Sequence, residues 1–205
     1  MLTMRTSERG MSLIKKYEGL HDGDLKIIGL QPKMCPANVW TEGWGHAMLD
    51  KNGKFLKGAA DKDKAYKMQS VHNLQEADTL LSQDLKAFEL IVTRKVSVPL
   101  NQNQFDALVS HTYNTGGSDT LFRLINEKSN DKVVYTWFTE NYIRGGGVFL
   151  KGLIRRRKEE ADLFFTKMEE KPGPIIFKDE EAVDPPKAPS FIEFVISMVK
   201  ALFSK

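Results

Sequence analysis

Apolar and polar positions alternate with two different periods along this chain, and the change of period marks its organisation. Residues 7–18, "SERGMSLIKKYE", place Leu13, Ile14 and Tyr17 on one stripe. With Ser7 as an N-cap and Gly19 as a C-terminal stop, this predicts a first helix. Residues 20–60 are rich in glycine and contain short alternating pieces such as "NVWTEGW", which predict two or three short strands joined by turns. The helical period returns at residue 73. "NLQEADTLLSQDLKAFELIVTRKV" offers Asn73 as N-cap, Glu76 as a capping-box partner, and Leu74, Ala77, Leu80, Leu81, Leu85 and Phe88 on one face. Pro99 closes that segment. "NQNQFDALVSHTYNTGG" (101–117) predicts another helix, ended by Gly116 and Gly117, and shorter helices are expected near 119–128 and 131–143. "RGGG" (144–147) reads as a loop, and "GLIRRRKEEADLFFTKM" as a further helix.

The pattern changes again after residue 170. Residues 170–189 hold five of the eight prolines and an acidic run, so 171–189 is expected to be an extended linker. In "SFIEFVISMVKALFSK" (190–205) the polar residues Glu193, Ser197, Lys200 and Ser204 share one narrow stripe of a helix that is otherwise apolar. Such a helix needs a partner: the domain itself, a second copy, or a membrane interface. The expected division is therefore a domain over 1–170, a linker over 171–189 and an apolar helix over 190–205.

Composition narrows the class. Apolar residues make up 41% and charged residues 28% of the 205, which suits a globular core and excludes wholesale disorder. One cysteine excludes an internal disulfide framework. No stretch reaches the roughly 18 apolar residues of a spanning helix, and residues 1–12 carry no apolar run of a signal peptide. The net charge of +3 allows an anionic partner without requiring one. The fold class expected is α+β, predominantly helical.

The rarest residues gather in "MCPANVWTEGWGHAM" (34–48), which holds Cys35, Trp40, Trp44 and His46. Glu18 lies upstream, in the last turn of the first helix. A helix C-terminus carries partial negative charge and disfavours a neighbouring carboxylate, and a protonated carboxyl is what a general acid needs. Glycoside hydrolysis asks for such an acid and for a second group that directs water at the opposite face of the sugar. Glu18 suits the first role, and Cys35 and Thr41 are candidates for holding the water. A thiol is a poor base near neutral pH, so Cys35 is expected to orient water rather than to take its proton. Trp40 and Trp44 are aromatic platforms or core residues. His46 is expected to make a structural hydrogen bond.

Four motifs in order carry a family resemblance: "EGL" (18–20) with "CPANVWTEGWGH" (35–46), "LQEADTLLSQDL" (74–85), "NQNQFDALVSHTYNTGG" (101–117) and "YIRGGGVFLKGLIRRRKEEADLFF" (142–165). Together, over about residues 10–168, they resemble the phage-type lysozymes, the endolysins related to the lysozyme of phage T4. The resemblance implies a two-lobed lysozyme-like fold, with a small β-hairpin lobe and a helical lobe flanking a substrate cleft. It implies inverting hydrolysis of the β-1,4 bond between N-acetylmuramic acid and N-acetylglucosamine in peptidoglycan, without metal or cofactor. Glu18 matches the proton donor, Cys35 the water-orienting Asp or Cys, and Thr41 the threonine that helps place the water. Asn114 matches a cleft-lining position, with helix capping as its alternative role, and Trp44 is a second substrate-binding candidate. His46 and Arg156 are supporting residues, Arg156 as a partner of Glu18; the alternative for Arg155, Arg156 and Arg157 is a helix face paired locally with Glu159 and Glu160.

The chain departs from the family in the interval from Glu18 to Cys35. Sixteen residues separate them, about twice the usual spacing, and the insertion 21–34 brings Asp22 and Asp24, a carboxylate there being the lesser alternative to Cys35. The expected partner is peptidoglycan, not nucleic acid. The enzyme is expected to accumulate in the host cytoplasm and to reach the wall after a holin or similar lesion opens the membrane. Two rivals remain open: a non-catalytic peptidoglycan-binding or morphogenesis protein on a lysozyme scaffold, and a lytic transglycosylase.

Overall fold

The computed structural model describes residues 4–167. The linker 171–189 and the apolar helix 190–205 expected from the sequence lie outside the described residues. The chain folds as two compact units: Ile14–Asp84, and the residues up to Leu13 together with those from Leu85 onward. Helix α1 (Glu8–Glu18) begins in the second of these and ends in the first; α3 (Leu74–Lys95) runs the other way.

The β unit contains three short antiparallel strands, β1 (Lys33–Met34), β2 (Trp40–Glu42) and β3 (His46–Ala47), in the order β1-β2-β3. Lys33 stands opposite Thr41, and Glu42 opposite His46. The strands are too short to stand by pairing alone; an apolar cluster of Trp40, Met48, Leu56 and Ala65, with Tyr66 against it, supplies the packing. Trp40 is a core residue: it is buried, its indole N–H donates to Gly58 O at 2.8 Å, and Tyr66 meets it edge-on. Ala65 and Tyr66 come from α2 (Lys62–Met68), which follows a 3₁₀ turn at Ala59–Asp61. Neither element was expected from the sequence. Seven residues with one buried position show no readable period.

The insertion 21–34 is a closed loop on this unit. Gly23 N donates to Gln31 O, Leu30 N donates to His72 O, and Gln69 Nε2 donates to Leu30 O. A Cβ at Gly23 would lie 2.1 Å from Pro32 O, so only glycine lets the two arms of the loop approach this closely. Asp24 turns the tip by accepting from Lys26 N. Leu25 and Ile28 stand almost fully exposed there.

The helical unit is built on α4 (Gln102–Thr115), α5 (Asp119–Asn126), α6 (Asp131–Glu140) and α7 (Lys151–Phe165). Asn101 begins α4 with a full capping box to Gln104, and Gly116, at φ 80°, closes it. Ser7 starts α1 as expected. Its backbone N–H and hydroxyl donate to Asp106 in α4, and a Cβ at Gly10 would fall 2.7 Å from the Asp106 carboxyl carbon. The "RGGG" stretch is not a loop but the turn of a hairpin, β4 (Arg144–Gly145) and β5 (Val148–Phe149). Gly146 and Gly147, at φ 57° and 80°, are two successive positive-φ residues, as a two-residue hairpin turn requires.

Two local expectations are corrected. Leu74 is 56% exposed, because as the first residue of α3 it precedes the buried stripe. Glu76 reaches back to His72 N rather than to Asn73 N, while Asn73 Oδ1 accepts from Glu76 N as a cap should. Arg156 and Arg157 pair locally with Glu160, as the local alternative for them had it, and all three are buried. Glu160 also accepts from Ser110 Oγ at 2.8 Å. His111 lies beside this network among Trp137, Phe138 and Tyr142. Burial first, then the charges of Arg157 and Arg156, hold it well below the ordinary histidine pKa.

Candidate active site

The β unit brings most of the expected residues into one neighbourhood. Glu18 ends α1, and Gly19 N donates to Lys15 O to close the helix. His21 N then donates to Gly43 O, so the chain leaving α1 pairs with the turn after β2. Gly43 and Gly45 both have positive φ, which is what the turn of "TEGWGH" requires of them, and Gly45 faces the Glu18 carboxyl: a Cβ there would be 3.8 Å from Glu18 Oε2.

Thr41 stands at the centre of β2 and is 2% exposed. Its hydroxyl donates to Lys33 O at 2.8 Å and is 2.7 Å from His21 Nδ1. His21 is half-buried. Burial and the nearby Lys33 charge push its pKa below the ordinary 6.5, and the opposing charge of Glu18 offsets only part of this. His21 was not singled out in the sequence. It sits three residues past Glu18, inside an insertion whose aspartates drew attention to carboxylates. Of those, Asp24 is engaged in the loop tip.

Cys35 is buried, and its backbone forms a tight turn: Cys35 N donates to Val39 O, and Asn38 N to Cys35 O, with Asn38 at φ 63°. "CPAN" therefore reverses the chain between β1 and β2 and fixes where the thiol sits. Trp44 is anchored to α3, with its indole N–H 2.7 Å from Asp78 Oδ1. Lys15 ion-pairs with the same carboxylate and lies 5.4 Å from the Trp44 ring centroid. His46 makes the structural bond expected of it, Nδ1 to the Asp84 carboxylate at 2.9 Å. Burial acts to lower its pKa, but the Asp84 hydrogen bond and charge, with the charge of Glu42, outweigh that and raise it. Glu42 is a buried carboxylate that the sequence did not single out; it accepts from Ser70 N, Ser70 Oγ and Val71 N and ties β2 to the segment before α3.

Asn114 and Arg156 belong to the helical unit. Asn114 lies in the last turn of α4, half-buried, and it is not the cap; Gly116 is. Arg156 donates to Glu160 Oε1 at 3.1 Å and to Ser110 O at 3.4 Å. Among the described residues, no three His, Cys, Asp or Glu side chains gather so as to hold a metal ion.

Residues 17–160 match the family model for phage lysozyme. The endolysin of Salmonella phage P22 is 41% identical over 176 residues, covering 80% of this chain and 99% of that protein. The muramidase domain of SpmX from Asticaccaulis excentricus superposes with a TM-score of 0.58 at 30% identity, covering 80% of this chain and 99% of that one. An endolysin from Escherichia coli O157:H7 phage FAHEc1 gives a TM-score of 0.60 at 28% identity, covering 82% and 98%. The chain belongs to the phage lysozyme family, and its α+β, predominantly helical architecture is the lysozyme-like fold.

Proposed function

We propose that this chain is a muramidase of the endolysin type, which cleaves the β-1,4 bond between N-acetylmuramic acid and N-acetylglucosamine in peptidoglycan with inversion. The observation that carries the reading is the placement of Glu18: a carboxyl at the end of α1, lying against the glycine turn that follows Thr41, within the span matched by the family model. In this reading Glu18 protonates the leaving oxygen, and Cys35 and Thr41 lie along the path of the attacking water. Trp44 and Asn114 contact sugar, Trp44 through its ring, since its N–H is spent on Asp78. His46 holds the turn, and Arg156 is a supporting cation. The protein is made in the host cytoplasm, meets the wall once a holin or other lesion opens the membrane, and contributes to lysis.

A scaffold reading, in which the fold binds wall polymer without cutting it, draws on one feature: Cys35 stands where an aspartate is common, and a thiol is a weak base. Purified peptidoglycan separates the readings. A hydrolase releases new reducing ends whose fresh anomer is inverted. A binding module retains the polymer and releases none, and a lytic transglycosylase leaves anhydro ends. Retention without release overturns the proposal.

A further inference from the structure

The missing aspartate leaves the hydrolytic reading without a proton acceptor for water, and the geometry around Thr41 supplies one. A carbonyl oxygen only accepts hydrogen bonds, and a hydroxyl has one proton to give. The Thr41 hydroxyl lies 2.8 Å from Lys33 O and 2.7 Å from His21 Nδ1. Both contacts are hydrogen bonds in one arrangement alone: Thr41 donates to Lys33 O and accepts from His21 Nδ1–H. That arrangement fixes the tautomer. Nδ1 carries the proton, and Nε2 carries the lone pair.

We propose that His21 is the general base of this enzyme, with Nε2 taking the proton of the attacking water while the Thr41 hydroxyl and Lys33 carbonyl orient the ring from its Nδ1 side, so that Thr41 acts on the water through the imidazole rather than by direct contact. This assignment rests on the muramidase reading above and deepens it. Thr41 is buried at 2% exposure, which suits an orienting role, whereas the half-buried His21 retains an outer side. The arrangement of carbonyl, hydroxyl and imidazole does what a buried carboxylate does behind a catalytic histidine: it selects the tautomer and holds the ring plane. The backbone pairing of His21 with Gly43, two residues beyond Thr41, sets the approach.

The step balances. The water O–H bond breaks, its proton goes to Nε2, and its oxygen bonds to the anomeric carbon. The bond from that carbon to the leaving oxygen breaks with its electron pair on oxygen, which takes the proton of Glu18. The result is an imidazolium and a carboxylate, and a proton passed through solvent from His21 to Glu18 restores both. Lys33 and Glu18 are the charged groups that act on the ring. Lys33 and burial keep it neutral and ready, and the Glu18 charge, which appears as the acid is spent, favours the imidazolium that forms.

His21→Asn tests this, because an Asn amide reproduces the Nδ1–H donor to Thr41 but has no counterpart of Nε2. The readouts are kcat, KM and the pH profile of reducing-end release from peptidoglycan, with a thermal melt to confirm folding. In the wild type, long-range proton–nitrogen NMR should also show His21 as the Nδ1–H tautomer. The expected result is a kcat lower by about 10²–10⁴-fold, little change in KM, and loss of an acid limb that the wild type is expected to have below pH 6.5. An Nε2–H tautomer, or a variant with the wild-type kcat and acid limb, overturns the base while leaving the muramidase reading in place. A wild type that releases no reducing ends overturns both.

Discussion

Two buried glutamates, Glu160 in the helical unit and Glu42 in the β unit, are held in opposite ways. In the helical unit, Glu160 is fully buried and is held by two guanidinium groups, Arg156 and Arg157. The guanidinium charges, together with burial, also hold the pKa of His111 beside them well below its ordinary value. In the β unit, the buried Glu42 is held by neutral donors, two backbone N–H groups and a hydroxyl, and His21 leans on a hydroxyl. Glu160 is thus a charged strut, whereas Glu42 is a hydrogen-bonded tie, and the candidate acid and base lie in the unit that holds the tie.

The largest effect should come from removing the strut. Glu160→Ala leaves two buried guanidinium groups without that carboxylate and should cost about 3–5 kcal/mol in denaturant unfolding. A loss under 1 kcal/mol would erase the contrast. Glu42→Gln is the counterpart in the β unit. It points an NH₂ group at donors that need an acceptor and should cost about 1.5–3 kcal/mol, measured in the same way.

Asp84→Asn sharpens the comparison from the side of the exception, since His46–Asp84 is an ion pair inside the β unit. The His46 pKa is raised in the folded state, so the pair stabilises fully below 6.5, its unfolded value, and the contribution is lost as pH rises through the raised value. The pair is only partly buried, so the gap between wild type and Asp84→Asn should be about 1 kcal/mol below pH 6.5 and shrink above it. A gap that grows with pH would mean that the pair is not the cause.

The helices were legible because each buries a stripe long enough to repeat, and because Ser7, Asn73, Asn101 and Gly116 supply start and stop chemistry that acts locally. The small elements were not. Strands β4 and β5 are two residues each, and their hairpin is announced only by glycines that suit a loop equally well. The site was half legible. Glu18, Cys35 and Thr41 stand at spacings the sequence displays, and the structure places Glu18 against the turn after Thr41. His21 was not, because its meaning is a hydrogen bond across twenty residues of chain to a hydroxyl whose own proton is already directed at Lys33 O. The pairing of Arg156 and Arg157 with Glu160 was legible but its burial was not, because local Glu spacing looks the same on a buried helix as on an exposed one.

The account turns on Glu18 as the proton donor, and the most direct measurement is the initial rate of reducing-end release from purified peptidoglycan by the wild type and by Glu18→Gln. Gln fills the same space beside Gly45 but has no acidic proton to give. The account predicts a rate lower by about 10²–10⁴-fold with polymer binding retained. A Glu18→Gln variant that cuts as fast as the wild type would contradict it.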